Sequence, residues 1–291
     1  MVGPPPWADV HPALRLVRLN NVLVSFAGTV VGGLVARGAG VELSVGVYAV
    51  LAIAAASSAM VTAGGNVLND VLDVEGDRVN HPDRPLVTGA IGIGTARAMA
   101  AGLLIGSLVV ILPILGATPW VGVIWAVAVG ALLTYEFRFK ALGLAGNLLV
   151  AFLTAAVFLY GGAAGGAPAL LVPFALMAFG ATLSREVIKD MEDAAGDVDR
   201  RTLPRVRGFG TATLVARAAV AVAIGLSPWP LLSFLRLSSA AGIIYLGLVL
   251  VADGLFVYSV ARLPGDLHRE QTVSKGAMTV ALLAFLATAF R

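Results

Sequence analysis

The sequence predicts an all-α membrane protein: nine transmembrane helices arranged around a central cavity that opens on the cytoplasmic side. Three observations carry this prediction. The 291-residue chain is 58% hydrophobic, with a mean hydropathy of +0.91. Only 13% of its residues are charged, where a soluble domain carries about 25%. Its apolar residues gather into stretches of about 17–25 residues, each long enough to cross a bilayer. The whole chain, 1–291, is expected to form a single domain.

Residues 1–9 are Pro-rich and lack a basic segment, so no cleaved signal peptide is expected. His11 to Asn21 carries Arg15 and Arg18 with a spacing that suits an interfacial helix entering the membrane. The spans are predicted near 21–36, 44–68, 95–115, 119–137, 144–165, 168–189, 210–227, 238–262 and 272–290. The glycines Gly28, Gly32, Gly33, Gly161 and Gly162 read as helix-packing positions. Asp253, inside the eighth span, is a charge with no assigned role at this level. The chain has no cysteine and only three histidines, which excludes disulfides and thiolate or imidazole metal sites.

Charge placement sets the orientation. The N-terminus and the loops after spans two, four, six and eight, with their flanking helix ends, hold every Lys and Arg except Arg37, Arg236 and Arg291. The same side holds every acid except Glu42 and Asp253. The N-terminus and all candidate chemistry are therefore expected at the cytoplasmic face of the plasma membrane. The net charge of +3 is segregated rather than spread, and no nucleic-acid partner is expected.

Two stretches dominate that face, 66–77 and 185–197. Both contain D-x-x-D-x-x-x-D: Asp70, Asp73 and Asp77, then Asp190, Asp193 and Asp197. On a helix, positions i, i+3 and i+7 share one face, so each stretch aims three carboxylates the same way. Like charges this close repel, and a divalent cation turns the repulsion into coordination. Oxygen-only ligands favour Mg²⁺ or Ca²⁺, and Mg²⁺ commonly bridges carboxylates to substrate phosphates. Asn66, Asn69, Asp70 and Asp73 form one polar stripe on an otherwise apolar helix, and such groups within a span are usually functional. Two acidic faces suggest two metal clusters gripping one strongly anionic group. Both stretches end a span and precede a polar loop, with four spans between them, as in a weak internal repeat.

Cations accompany the acids. Arg78, Arg84, Arg138, Lys140, Arg200 and Arg201 lie on the same side, where the general bias towards positive residues explains most of them. Arg84 stands apart because Pro82 and Pro85 stiffen its loop, which lowers the entropy lost on gripping an anion. Arg84 and Lys140 suit diphosphate binding, as does Lys189 beside Asp190; Arg offers a fork and Lys a point charge.

These residues resemble a known family. Asn69-Asp-Val-Leu-Asp-Val-Glu-Gly-Asp77 resembles the N-D-x-x-D-x-x-x-D signature of the UbiA-type intramembrane prenyltransferases. Asp190-Met-Glu-Asp-Ala-Ala-Gly-Asp197, preceded by Arg185-Glu186 and Lys189, resembles their second signature. Arg18-Leu-Asn-Asn21 is similar to their R-P-x-N, with Leu19 in place of proline. Tyr135 to Lys140, followed by Gly146-Asn147, is similar to their Y-x-x-x-K element but one residue longer. The resemblance implies Mg²⁺-dependent transfer of a prenyl group from an allylic isoprenyl diphosphate to a lipid-soluble acceptor. It implies a metal set of Asn66, Asp70, Asp73, Asp190 and Asp193, with Asp77 and Asp197 either completing it or positioning bases. It implies a substrate set of Asn21, Asn69, Arg78, Arg84, Tyr135, Lys140, Lys189 and Asn147. Asp70, Asp73, Asp190, Asp193 and Lys140 would act in catalysis.

The segment Asn80-His-Pro-Asp-Arg-Pro85 looks like that of the archaeal digeranylgeranylglyceryl phosphate synthases, and also like chlorophyll- and tocopherol-type prenyltransferases. The resemblance thus implies transfer of geranylgeranyl to geranylgeranylglyceryl phosphate, an ether-lipid step. An aromatic acceptor such as 4-hydroxybenzoate is the alternative. An ion or lipid transporter is the competing class, but it needs polar groups through the membrane depth, and here they crowd one face.

Overall fold

The computed structural model describes residues 11–38, 40, 45–194 and 201–290. Its helices are α1 (Pro12–Leu16), α2 (Leu19–Gly38), α3 (Val45–Asn80), α4 (Ile93–Ile111), α5 (Pro119–Thr134), α6 (Leu144–Ala164), α7 (Val172–Asp193), α8 (Leu203–Leu226), α9 (Trp229–Ser233), α10 (Ala240–Ala261) and α11 (Leu267–Ala287). Among the described residues no strand occurs, and nine helical segments are long and apolar enough to span a membrane. The expected all-α architecture is borne out.

Helices α3 and α4, α6 and α7, α7 and α8, and α10 and α11 pack as neighbours, and α2 packs on both α3 and α6. The α2–α6 crossing depends on small residues. A Cβ on Gly161 would lie 2.0 Å from the Thr29 carbonyl oxygen, and one on Gly32 would lie 2.6 Å from that of Phe158. Backbones approach this closely only where side chains are missing. Ile105, Val109, Val123 and Val127 face outward and exposed, as bilayer-facing positions do.

The largest departure from the predicted spans is α3. It runs unbroken to Asn80, where the sequence reading ends the span near 68. No Pro interrupts residues 45–80. Thirty-six residues at 1.5 Å each make about 54 Å of helix, well beyond a ~30 Å hydrocarbon core. The first acidic stretch is therefore held rigidly on a helix that outruns the apolar layer.

At the end of the bundle away from the acidic stretches, Phe158, Phe174 and Phe285 meet edge to face. Their centroids lie 5.6 Å (Phe158–Phe285) and 4.8 Å (Phe174–Phe285) apart. With buried Tyr245, Leu171 and Leu235 they form a continuous core there. At the acidic end, α1 caps the bundle: Leu16 is fully buried against Val67, Val71 and Leu86.

Candidate active site

The acidic face of α3 meets cations from three other elements. Arg18, at the junction of α1 and α2, donates to Asp70 Oδ1 at 2.5 Å and to Asn69 Oδ1 at 3.2 Å. Its φ of +53° is in the left-handed region, a conformation costing on the order of 1–3 kcal/mol that persists where surrounding contacts fix it. Arg84 bridges Asp70, at 3.2 Å, and Asp77. Its loop is braced by the Arg84 carbonyl, which accepts from the Val87 and Thr88 amides at 3.0 Å each. Arg15 anchors the same loop by donating to the Asp83 carbonyl at 2.7 Å. Lys140 donates to Asp73 Oδ2 at 2.6 Å and to Glu136 Oε2 at 3.2 Å. Glu136 also accepts from Asn69 Nδ2 at 3.0 Å, so Arg18, Asn69, Glu136, Lys140 and Asp73 form one connected chain.

Lys140 reaches this chain through a local distortion. Residues Tyr135–Phe139 form a π-helical turn, closed by the Lys140 amide donating to the Tyr135 carbonyl at 2.9 Å. The extra residue between Tyr135 and Lys140 is absorbed by that turn, and π-turns recur at functional sites. The following Gly143 has φ +53°, and a Cβ there would lie 2.2 Å from the Arg201 carbonyl oxygen. Glycine is required for the Leu142–Leu144 turn to pass under the segment leading into α8.

Acids on α7 are arranged differently. Asp190 is buried and accepts from Asn147 Nδ2 at 2.7 Å. Asp193 is half-buried at the helix end. Arg185 pairs with Glu186 one turn earlier. Asp197 and Arg200 lie outside the described residues.

Both motif helices open onto one cavity of about 780 Å³. Asn66 and Asn69 from α3, Arg18 and Asn21 from α2 and its approach, and Tyr135 and Glu136 from the π-turn line one side. Arg185, Glu186 and Lys189 from α7 line the other. Beyond them the wall is mainly apolar, with Leu132, Leu153, Val157, Ala181 and Met278. Of the candidate residues, Asn21, Asn66, Asn69, Tyr135 and Lys189 line the cavity, whereas Asp70, Asp73, Asp77, Arg84, Lys140, Asn147, Asp190 and Asp193 are not among its lining residues, and Arg78 is exposed and pairs with Glu75 at 3.2 Å.

Among the described residues, no three carboxylates converge into a ready-made metal cage. The donors still fit Mg²⁺, which binds through one or two carboxylates and fills its shell with water and substrate phosphate oxygens. All are oxygen donors, and each buried carboxylate of α3 is held by a cation that a diphosphate would compete for. Sequence reasoning left Arg18, Glu136, Arg185 and Glu186 out of the candidate set. Arg18 and the Arg185-Glu186 pair were visible in the quoted motifs. Glu136 carried no signal, because its burial depends on the π-turn.

A model of the UbiA prenyltransferase family matches residues 25–287. The digeranylgeranylglyceryl phosphate synthase of Methanopyrus kandleri is 39% identical over 284 residues, covering 94% of this chain and 98% of that one. The enzyme of the same name from Methanoculleus marisnigri is 34% identical over 286 residues, covering 95% and 98%. A solved structure described as "Structural and mechanistic insights into the biosynthesis of Digeranylgeranylglyceryl phosphate synthase in membranes" is similar with a TM-score of 0.78 and 31% identity, covering 96% of this chain and 97% of that one. A UbiA homologue from Archaeoglobus fulgidus bound to GPP and Mg²⁺ shares the fold, with a TM-score of 0.72 and 20% identity over 96% of this chain and 98% of that one.

Proposed function

This chain belongs to the UbiA prenyltransferase family, and on that premise we propose that it transfers geranylgeranyl from geranylgeranyl diphosphate to the hydroxyl of geranylgeranylglyceryl phosphate. It is a multi-pass membrane protein. Its N-terminus and active site face the cytoplasm across the plasma membrane, because all but three of its Lys and Arg residues lie on the side of the acidic stretches. The acceptor assignment is supported by relatives at 30–39% identity that bear the synthase name.

The observation that carries the reading is the shared cavity, into which both motif helices bring polar groups at the same end. Lys140, Arg84 and Arg18 bind the diphosphate oxygens by exchanging carboxylate partners for phosphate ones, and Lys189 joins them from α7. Asn66, Asp70, Asp73, Asp77, Asp190 and Asp193 would hold Mg²⁺, with Asp197 the remaining candidate. When bound, Mg²⁺ neutralises the charge that develops on the departing diphosphate. Tyr135, Asn21 and Asn69 line the passage beside the reacting end, and Asn147 orients Asp190. The allylic C–O bond breaks, the acceptor oxygen bonds to the freed carbon, and the hydroxyl proton is lost. Leu132, Leu153 and Val157 keep water from the cation-like carbon.

The test is incubation of the purified protein and Mg²⁺ with labelled geranylgeranyl diphosphate and two acceptors. Transfer to geranylgeranylglyceryl phosphate, lost on chelation, is expected. Transfer to 4-hydroxybenzoate alone would overturn the acceptor assignment.

A further inference from the structure

One carboxylate lines the apolar part of the cavity, away from both motifs. Asp253 projects from the middle of α10 into a wall formed by Val249, Phe256, Leu282 and Ala223. Hydrogen bonds fix its depth. Gln271 of α11 bonds Glu192 at the end of α7, and Ser259 of α10 bonds Ser274 of α11. Carried along the three helices, this register sets Asp253 near the level of Thr182, a little over two turns or about 12 Å further along α7 than Asp190.

The carboxylate is held on one side only. Ser227, which ends α8 before Pro228, donates its hydroxyl to Asp253 Oδ2 at 2.7 Å. Tyr245 donates to the Ser227 carbonyl at 2.6 Å and fixes it in turn. An ionised carboxyl accepts about four hydrogen bonds. Its remaining capacity faces a cavity with apolar walls, where an unmet charge is costly. Lys275 and Thr279 of α11 line the same cavity, but neither is hydrogen-bonded to Asp253 in the structure.

The chemistry of the two substrates decides what completes the site. The ionised prenyl diphosphate has no hydrogen-bond donor, and its charge repels a carboxylate. The acceptor's free hydroxyl is a donor, and it must lose its proton. We propose, resting on the transfer reaction above, that Asp253 is the acceptor-hydroxyl site. Its free oxygen takes the hydroxyl's hydrogen bond and then its proton. As the hydroxyl oxygen bonds to the first prenyl carbon, the C–O bond to diphosphate breaks and its electron pair leaves with the diphosphate. The proton passes to Asp253.

Two measurements test this. In the wild-type protein, binding of geranylgeranylglyceryl phosphate is compared with that of its deoxy analogue, which lacks the free hydroxyl. At least about a 10-fold preference for the hydroxyl form is expected, the worth of a hydrogen bond to a charged group. Equal binding would overturn the assignment without any variant. Asp253→Asn, whose neutral amide can still hydrogen-bond a hydroxyl but cannot take its proton, should then weaken that preference and lower kcat, while leaving the affinity for geranylgeranyl diphosphate unchanged. A variant with wild-type acceptor preference and kcat would also overturn it. If the wild-type protein transfers nothing to geranylgeranylglyceryl phosphate, the proposed function fails instead, and the two failures are distinct.

Discussion

Asp73 and Asp193 are the members of the proposed metal set whose role in turnover is most easily separated from stability. Asp73 is held by Lys140 and Asp193 ends α7, so neither buries its carboxylate in the core. Asp73→Ala and Asp193→Ala should each cut prenyl transfer by more than about 100-fold, the scale of losing one charge-stabilising group. Their thermal unfolding should stay near wild type, because a half-exposed carboxylate contributes little stability. Normal turnover in either variant removes that aspartate from the metal set. Glu136 is a different case, being almost fully buried between Asn69 and Lys140. Glu136→Gln keeps the shape but weakens the hold on both neighbours. A loss of about 10–100-fold in transfer is expected, as for groups that orient ligands, with unfolding showing a cost of about 1–3 kcal/mol. An unchanged rate would make Glu136 merely structural.

Elements explain why part of this site was legible in sequence and part was not. The Asp70, Asp73 and Asp77 face was readable because helical periodicity alone puts those side chains on one face, and α3 is helical through all of them. The spans were readable because apolar length is a one-dimensional property. The acidic-side end of the second span was not, since α3 continues to Asn80 through polar residues that no longer need a bilayer. Arg18 stood in a quoted motif, but its contact with Asp70 depends on an unusual φ, and the burial of Glu136 depends on a π-turn; neither geometry leaves a periodic trace. The α2–α6 crossing was readable as small residues, and it gives a sharp prediction. Gly161→Ala puts a methyl against the Thr29 carbonyl, so the helices must separate. Overpacking of this kind costs about 1–3 kcal/mol, visible as a lower unfolding temperature in detergent. Gly130→Ala, where a Cβ meets nothing within 4 Å, should be neutral and serves as the control.

At the scale of the whole molecule, the segregation of charge and the placement of the cavity describe one design. Phe158, Phe174 and Phe285 fill the bundle at one end, while Arg18, Arg84, Lys140 and Lys189 gather at the other. An anionic substrate head is drawn to the cationic end, and its apolar tail meets walls of the same character as the lipid. This requires the acidic end to face the compartment that supplies the diphosphate. The chain lacks cysteine, so single introduced thiols report the topology without background. His81→Cys sits in an exposed loop at the acidic end, and Leu237→Cys in an exposed loop before α10 at the other. In intact cells a membrane-impermeant maleimide should label Leu237→Cys and spare His81→Cys. Permeabilised cells should then label both. The reverse pattern would put the aspartates outside, away from any cytoplasmic pool of prenyl diphosphate, and the orientation would have to be abandoned even if the purified enzyme were fully active.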